Sequence, residues 1–205
     1  FSQAIAQMSP MYPPEHYQEH ANASKYNGVS NTTLNGSKYI TGNFSFGSNV
    51  TLNGDLFVNG NLTLSSNVEI NGSIYVTGNA TVSSNADING PLYAAGWINI
   101  QSNATVNGYV IANGNITISS NVDVDNEPFC IYSANGNISL SSNIDVTGLV
   151  YAPKGDVTLS SNVDIYGGVI GYRVFCDSNV ELKGDYDPDE IDYLPKSDAE
   201  IKLVE

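Results

Sequence analysis

Glycine and asparagine return at fixed intervals of 18 residues. Gly54, Gly72, Gly90 and Gly108 form one series, Gly42, Gly60, Gly78, Gly96 and Gly114 a second, and Asn49, Asn67, Asn85, Asn103 and Asn121 a third. One register holds from about Asn31 to about Val124 and continues, with insertions and deletions, to about Leu182. A period of this length is the signature of a solenoid. A single repeat cannot bury its own apolar face, and stacked repeats bury a continuous core.

A finer period of six lies inside each repeat, as in Val68-Glu69-Ile70-Asn71-Gly72-Ser73 followed by Ile74-Tyr75-Val76-Thr77-Gly78-Asn79 and Ala80-Thr81-Val82-Ser83-Ser84-Asn85. Two aliphatics separated by one residue share a strand face, so the first and third positions of each hexad point inward and the second outward. Asn-Gly, Thr-Gly and Ser-Ser supply the bend between strands. The expected fold is all-β: a single-domain, three-sided parallel β-solenoid (β-helix) of about 18 residues per coil, with terminal caps. Some eight coils at a strand spacing of about 4.8 Å predict a rod roughly 35 to 40 Å long.

Val50, Leu52, Leu56, Val58, Leu62 and Leu64 are expected to fill one coil, and Val68, Ile70, Ile74, Val76, Ala80 and Val82 the next. Ala86, Ala94, Ala104 and Ala112 adjust the volume from coil to coil. Asn49, Asn67, Asn85, Asn103, Asn121, Asn143, Asn162 and Asn179 recur at one corner, where stacked amides are expected to form a ladder that satisfies buried backbone groups. The sequence divides into a non-repeating segment, 1–26, the solenoid, 27–182, and an acidic tail, 183–205, with the two ends read as caps over exposed strand groups. The coil beginning at Ser119 is four residues longer than the standard, and Asn126-Glu127-Pro128-Phe129-Cys130 is expected to bulge from a corner as a loop.

Seven basic against 21 acidic residues give a net charge of −14, which argues against a nucleic-acid or anionic-membrane partner. No apolar run is long enough to span a bilayer, so no membrane insertion is expected within this segment. No signal peptide is visible, and the start at Phe1 fits a mature or excised segment. Cys130 and Cys176 lie about two coils apart; a disulfide requires α-carbons within about 7 Å, and buried free thiols are the alternative. Eleven Asn-x-Ser/Thr sequons (Asn22, Asn31, Asn35, Asn43, Asn49, Asn61, Asn71, Asn79, Asn103, Asn115 and Asn137) are by-products of the repeat. High Asn, Ser, Thr and Gly content with few charges points to an extracellular or cell-surface protein.

Function in such a rod is read from its outward columns. The second face carries Tyr39, Phe57, Tyr75 and Tyr93; Ile111 interrupts it, and Tyr132 and Tyr151 resume it after the insertion. Trp97, the single tryptophan, replaces the corner Asn and is expected at the edge of the same face near Tyr93. A flat row of rings offers apolar faces to the C–H surface of sugars, which makes these seven residues the candidate carbohydrate contacts. Two plainer outcomes stand beside that one: the rings stack on one another as cross-strand pairs, or the N-terminal segment covers them.

The first face carries Thr51, Glu69, Asp87, Thr105, Asp123, Asp145, Asp164 and Glu181. Carboxylates about 5 or 10 Å apart would suit a glycosidase, yet no basic residue or histidine joins the column, and a solvated acidic face is the simpler account. The third face, Ser45, Thr63, Thr81, Asn99, Thr117, Ser139 and Thr158, shows one hydroxyl column where ice-binding faces show two. Asp185, Asp187, Asp189 and Asp192 lack the glycine and terminal glutamate of an EF-hand loop and read as a polar cap. His16 and His20 stand outside the repeat, and no catalytic set, metal site or cofactor motif appears.

The hexad solenoid resembles bactofilins and the polymer-forming β-helix domains attached to pilin-like proteins, over about three quarters of the chain. Its Asn- and Tyr-rich repeats and outward aromatics also resemble the C-terminal domain of tāpirins, surface proteins associated with type IV pilus loci that form a β-helix and bind cellulose without cleaving it. That resemblance implies a non-catalytic adhesin for an insoluble cellulose-like polysaccharide, with a pilus or cell-surface partner. The first resemblance implies a structural, polymer-forming protein or pilus-tip subunit. A β-helix glycosidase or lyase is the third alternative.

Overall fold

The computed structural model describes residues 23–122 and 124–184, with only the backbone of 23–24 and 124–129. It is a parallel β-solenoid of about eight coils. The first coil consists of β1 (Thr32–Asn35), β2 (Lys38–Thr41) and β3 (Phe44–Phe46); the second of β4 (Val50–Asn53), β5 (Leu56–Asn59) and β6 (Leu62–Leu64). The third has β7 (Glu69–Asn71), β8 (Ile74–Val76) and β9 (Ala80–Val82), the fourth β10 (Asp87–Ile88), β11 (Leu92–Ala94) and β12 (Ile98–Ile100), and the fifth β13 (Thr105–Val106), β14 (Val110–Ala112) and β15 (Ile116–Ile118). Beyond these, β16 (Val124–Ser133), β18 (Ile144–Leu159) and β19 (Val163–Cys176) run through corners, whereas β17 (Ile138–Leu140) and β20 (Glu181–Lys183) stay short.

Every strand pairs with its counterpart one coil away in parallel register, for example Leu34 with Leu52 and Leu52 with Ile70. The first face of the first five coils is a separate sheet, β1-β4-β7-β10-β13, whereas the long β18, paired with both β16 and β17, joins the second and third faces into one sheet of 15 strands.

The inward positions form one unbroken core. Val50, Leu52, Leu56, Val58, Leu62 and Leu64 are all at most 1% exposed, and Ala86, Ala94, Ala104 and Ala112 are equally buried where larger neighbours fill the coil. Each buried aliphatic contributes roughly 1.5–3 kcal/mol relative to exposure. Because a coil touches only its two neighbours, that energy is local to adjacent coils.

The corner asparagines do something other than serve buried backbone. Asn31, Asn49, Asn67, Asn85, Asn103, Asn121, Asn143, Asn162 and Asn179 all adopt the left-handed conformation, with φ between 57° and 60° except for 54° at Asn31. Their amides are exposed, and they bond to each other in two runs, Asn31 to Asn67 and Asn103 to Asn179: Asn49 Nδ2 donates to Asn31 Oδ1 at 2.8 Å, and Asn67 Nδ2 to Asn49 Oδ1 at 3.0 Å. A second ladder runs through Asn35, Asn53, Asn71, Asn89 and Asn107. The left-handed turn tilts the side chain outward, away from the core, so the ladder closes the surface of the corner.

The insertion is not a single corner loop. The offset between matched residues rises from 18 at Asn103 and Asn121 to 21 at Val110 and Ile131, then to 22 at Ile116 and Ile138. Three extra residues therefore enter at one corner and one at the next. Strand β16 runs through the first of these places, with a register shift against β18 between Val124 and Phe129. Cys130, expected in the loop, lies in that strand opposite Leu149.

The two described ends differ. At the start, a 3-10 turn (Ala23–Tyr26) packs on β2, and Lys38 occupies the inward register filled by Leu56 above it. Its ammonium satisfies the carbonyls of Asn35, at 2.7 Å, and Gly36, and lies 5.6 Å from the Tyr26 ring. At the other end, Val174 and Leu182, matched to the buried Val157 and Ile165, are 41% and 53% exposed. Arg173 pairs with Asp156 there at 2.6 Å, and its guanidinium holds that carboxyl below the usual range. Most of the expected caps, with His16, His20 and the Asp185–Asp192 cluster, lies outside the described residues.

Candidate functional site

The aromatic column is continuous in register. Tyr39 pairs with Phe57, Phe57 with Tyr75, Tyr75 with Tyr93, Tyr93 with Ile111, Ile111 with Tyr132, and Tyr132 with Tyr151. The rings do not lie flat on the sheet. Phe57 and Tyr75 are stacked with centroids 5.0 Å apart and planes 13° apart, and Tyr75 and Tyr93 with centroids 5.0 Å and planes 9° apart. Coplanar rings at that separation would interpenetrate, so the planes stand across the rod axis and the faces are spent on each other. The cause is the coil spacing, which matches the distance at which aromatic rings stack. Of the outcomes the sequence left open, ring-on-ring stacking is the one built for Phe57, Tyr75 and Tyr93.

Exposure separates the seven candidates further. Tyr39 (4%), Phe57 (6%) and Tyr132 (4%) are buried despite outward register. Tyr75, Tyr93 and Tyr151 are half-buried, and Trp97 is 42% exposed. Tyr132 and Tyr151 approach at 5.4 Å with planes 33° apart, in a satellite apolar cluster with Tyr109, Ile111, Cys130, Ala134 and Leu149. Sequence reading missed Tyr109 and Leu149, because they sit at a corner position filled by Asp55, Ser73 and Pro91 in earlier coils. Burial in this cluster pushes the Cys130 thiol up to about 12 and raises the Tyr132 hydroxyl too, with the neighbouring Tyr151 and Cys130 adding to the latter. Both cysteines are free thiols: Cys130 is buried and Cys176, at the end of β19, is exposed.

Trp97 follows Gly96 on the same coil as Tyr93, and its backbone N–H donates to Asn79 Oδ1 at 3.0 Å. Two further polar residues follow it, one in β12 and one just after it. Asn99, between the buried Ile98 and Ile100, pairs with Thr81 and Thr117, and Gln101 follows. Both are half-buried. The signal for them lay in the repeat itself, since Ser or Thr fills their positions in the neighbouring coils.

On the acidic face, Glu69 pairs with Thr51 and Asp87, and Asp145 with Asp164, which pairs with Glu181. Asp123 lies outside the described residues. Glu69 accepts from Thr51 Oγ1 at 3.3 Å and Asn71 Nδ2 at 3.1 Å. Asp145, Asp164 and Glu181 line an open groove of about 400 Å³ beside Asn143, Asn162 and Asn179. A basic residue does reach this column, contrary to expectation. Lys183 Nζ lies 2.6 Å from Glu181 Oε2 and 3.4 Å from Tyr166 Oη, and the Glu181 carboxylate raises its pKa. Lys183 is two residues after Glu181, so the two side chains share one strand face. Among the described residues no group of three His, Cys, Asp or Glu side chains is arranged to hold a metal ion, and no helix is long and apolar enough to cross a membrane.

No curated protein and no solved structure matches the chain. Residues 90–191, which include Tyr93 and Trp97, match the model of one family, described as a domain of unknown function (DUF7305).

Proposed function

We propose that the protein is a non-catalytic extracellular adhesin that holds a cell surface to an insoluble, cellulose-like polysaccharide. The observation that carries this reading is Trp97: a large aromatic side chain, 42% exposed, at the corner that follows the strand of the half-buried Tyr93 on the same coil. Because ring stacking commits the faces of Phe57 and Tyr75, the column stiffens the platform and Trp97 supplies the accessible face. A preorganised rod loses little conformational entropy on binding, so several weak contacts sum to useful affinity. The likeness to tāpirin domains points the same way. The test is a pull-down on microcrystalline cellulose, xylan and chitin with wild type and a Tyr93→Ala/Trp97→Ala variant. Cellulose binding that the folded variant loses supports the reading, and failure to bind any of the three glycans sinks it.

A second reading, a structural protein whose coils associate end to end, is favoured by one observation. Of the seven exposed large apolar residues among those described, all but Trp97 lie on β19 and β20. Exposed apolar patches of this kind mark association surfaces. Sedimentation over a range of concentrations tests it: a concentration-dependent rise in mass that Val174→Asp/Leu182→Asp abolishes supports association, and an unchanging monomer refutes it.

A further inference from the structure

Neighbouring coils of a solenoid are near-copies, so a side chain that leaves the pattern without serving the core calls for a reason. The fourth coil leaves it at three outward positions along and beside β12. Trp97 stands where Asn43, Asn61, Asn79 and Asn115 precede the same strand, Asn99 where Thr63, Thr81 and Thr117 stand, and Gln101 where Ser65, Ser83 and Ser119 stand. The core is untouched by the change, since Ile98 and Ile100 are 1% and 0% exposed. The backbone pairing is retained too: Ala80 N–H donates to the Trp97 carbonyl at 2.9 Å and Gln101 N–H to the Val82 carbonyl at 2.8 Å.

What is lost is a structural bond. In this corner column Asn43, Asn61 and Asn79 each accept, through Oδ1, the backbone N–H of the next coil, and Asn115 does the same for Asn137. Trp97 has no side-chain acceptor to continue the series. One coil gives up that bond and places the single indole of the chain where 42% of it is exposed.

We propose that Trp97, Asn99 and Gln101 form a saccharide-binding site that runs across the rod, transverse to the tyrosine column. Alternate residues of an extended strand face the same way, so the three positions span about 13 Å at 3.2–3.4 Å per residue, room for a few sugar rings. The indole presents the largest apolar face available to the C–H surface of a pyranose. Each carboxamide donates and accepts at once, which matches the adjacent hydroxyls of a sugar. All three side chains are neutral, in a chain of net charge −14, so the ligand class is an uncharged glycan and not a phosphate or a polyanion.

The inference rests on the polysaccharide reading and narrows it. A glycan crossing the rod touches few units, so a short oligosaccharide satisfies the site; one lying along the rod would gain contacts coil by coil. The experiment titrates the whole chain with cello-oligosaccharides from disaccharide to hexasaccharide, following the emission of its one tryptophan, and repeats the cellulose pull-down with two variants. In the first, Trp97→Asn/Asn99→Thr/Gln101→Ser, each new residue is one the neighbouring coils already accommodate. The second is Asn99→Thr/Gln101→Ser with Trp97 retained. The expected result is an emission shift, an affinity that levels off before the hexasaccharide, a loss of about ten-fold or more in the triple variant, and a smaller loss in the double variant. Full binding by the triple variant, or affinity that climbs through the hexasaccharide, overturns the transverse site while leaving the adhesin standing. No binding of any glycan by wild type overturns both.

Discussion

Replacing Asn49 separates what the corner conformation and the amide ladder each contribute. Its φ is 59°, its Nδ2 donates to Asn31 at 2.8 Å, and its Oδ1 accepts from Asn67 at 3.0 Å. Alanine in that left-handed conformation costs roughly 1–2 kcal/mol. Losing two exposed neutral hydrogen bonds, each at the low end of the usual range, costs about 1 kcal/mol more. Asn49→Ala is therefore expected to destabilise by about 2–3 kcal/mol. Asn49→Gly keeps the backbone conformation and loses the ladder, with about 0.5 kcal/mol added by the freer unfolded chain, for a total of about 1.5 kcal/mol. The measurement is urea unfolding followed by far-ultraviolet circular dichroism. Midpoints are compared at matched m-values, because a repeat array can lose two-state cooperativity. Glycine as damaging as alanine, or more so, would refute the conformational argument; alanine costing nothing would refute both terms.

A Cβ on Gly72 would lie 2.7 Å from both the carbonyl carbon and the oxygen of Gly54, backbone that cannot swing aside. Gly72→Ala should cost about 1–3 kcal/mol by overpacking, measured by the same unfolding assay. Ellman titration at pH 8 should find the exposed Cys176 reactive and Cys130 protected until the chain is denatured. Burial raises the Cys130 pKa from 9.0 to about 12, so between those pH values the unfolded chain releases a proton that the folded one retains. Stability should therefore fall as pH rises above about 9, less steeply in Cys130→Ala, and equal slopes would refute this assignment. Tyr75 is stacked on both sides, so Tyr75→Ser should lose about 1–3 kcal/mol of thermal stability, and Tyr75→Phe far less.

The repeat alone determined the solenoid, because inward and outward positions alternate strictly with the strand period and a misregistered coil would bury Glu69 or Asp87 in place of Ile70 or Ile88. It also determined the core and the membership of each outward column, including the return of Tyr132 and Tyr151 after the insertion. What the tertiary structure decided were matters of orientation and exposure. Coil spacing turned a row of rings into a stack, edge outward, and left Tyr39, Phe57 and Tyr132 buried despite their register. The left-handed corner put the asparagine amides on the surface, where they bond to each other. The insertion was divided between two corners, and the first part is taken up by a register shift of β16 against β18 between Val124 and Phe129. Periodicity fixes which residues share a column, since that depends on the chain's own rise and turn. Which way a side chain leans, and how much of it meets water, depends on the coils above and below, and only packing settles that.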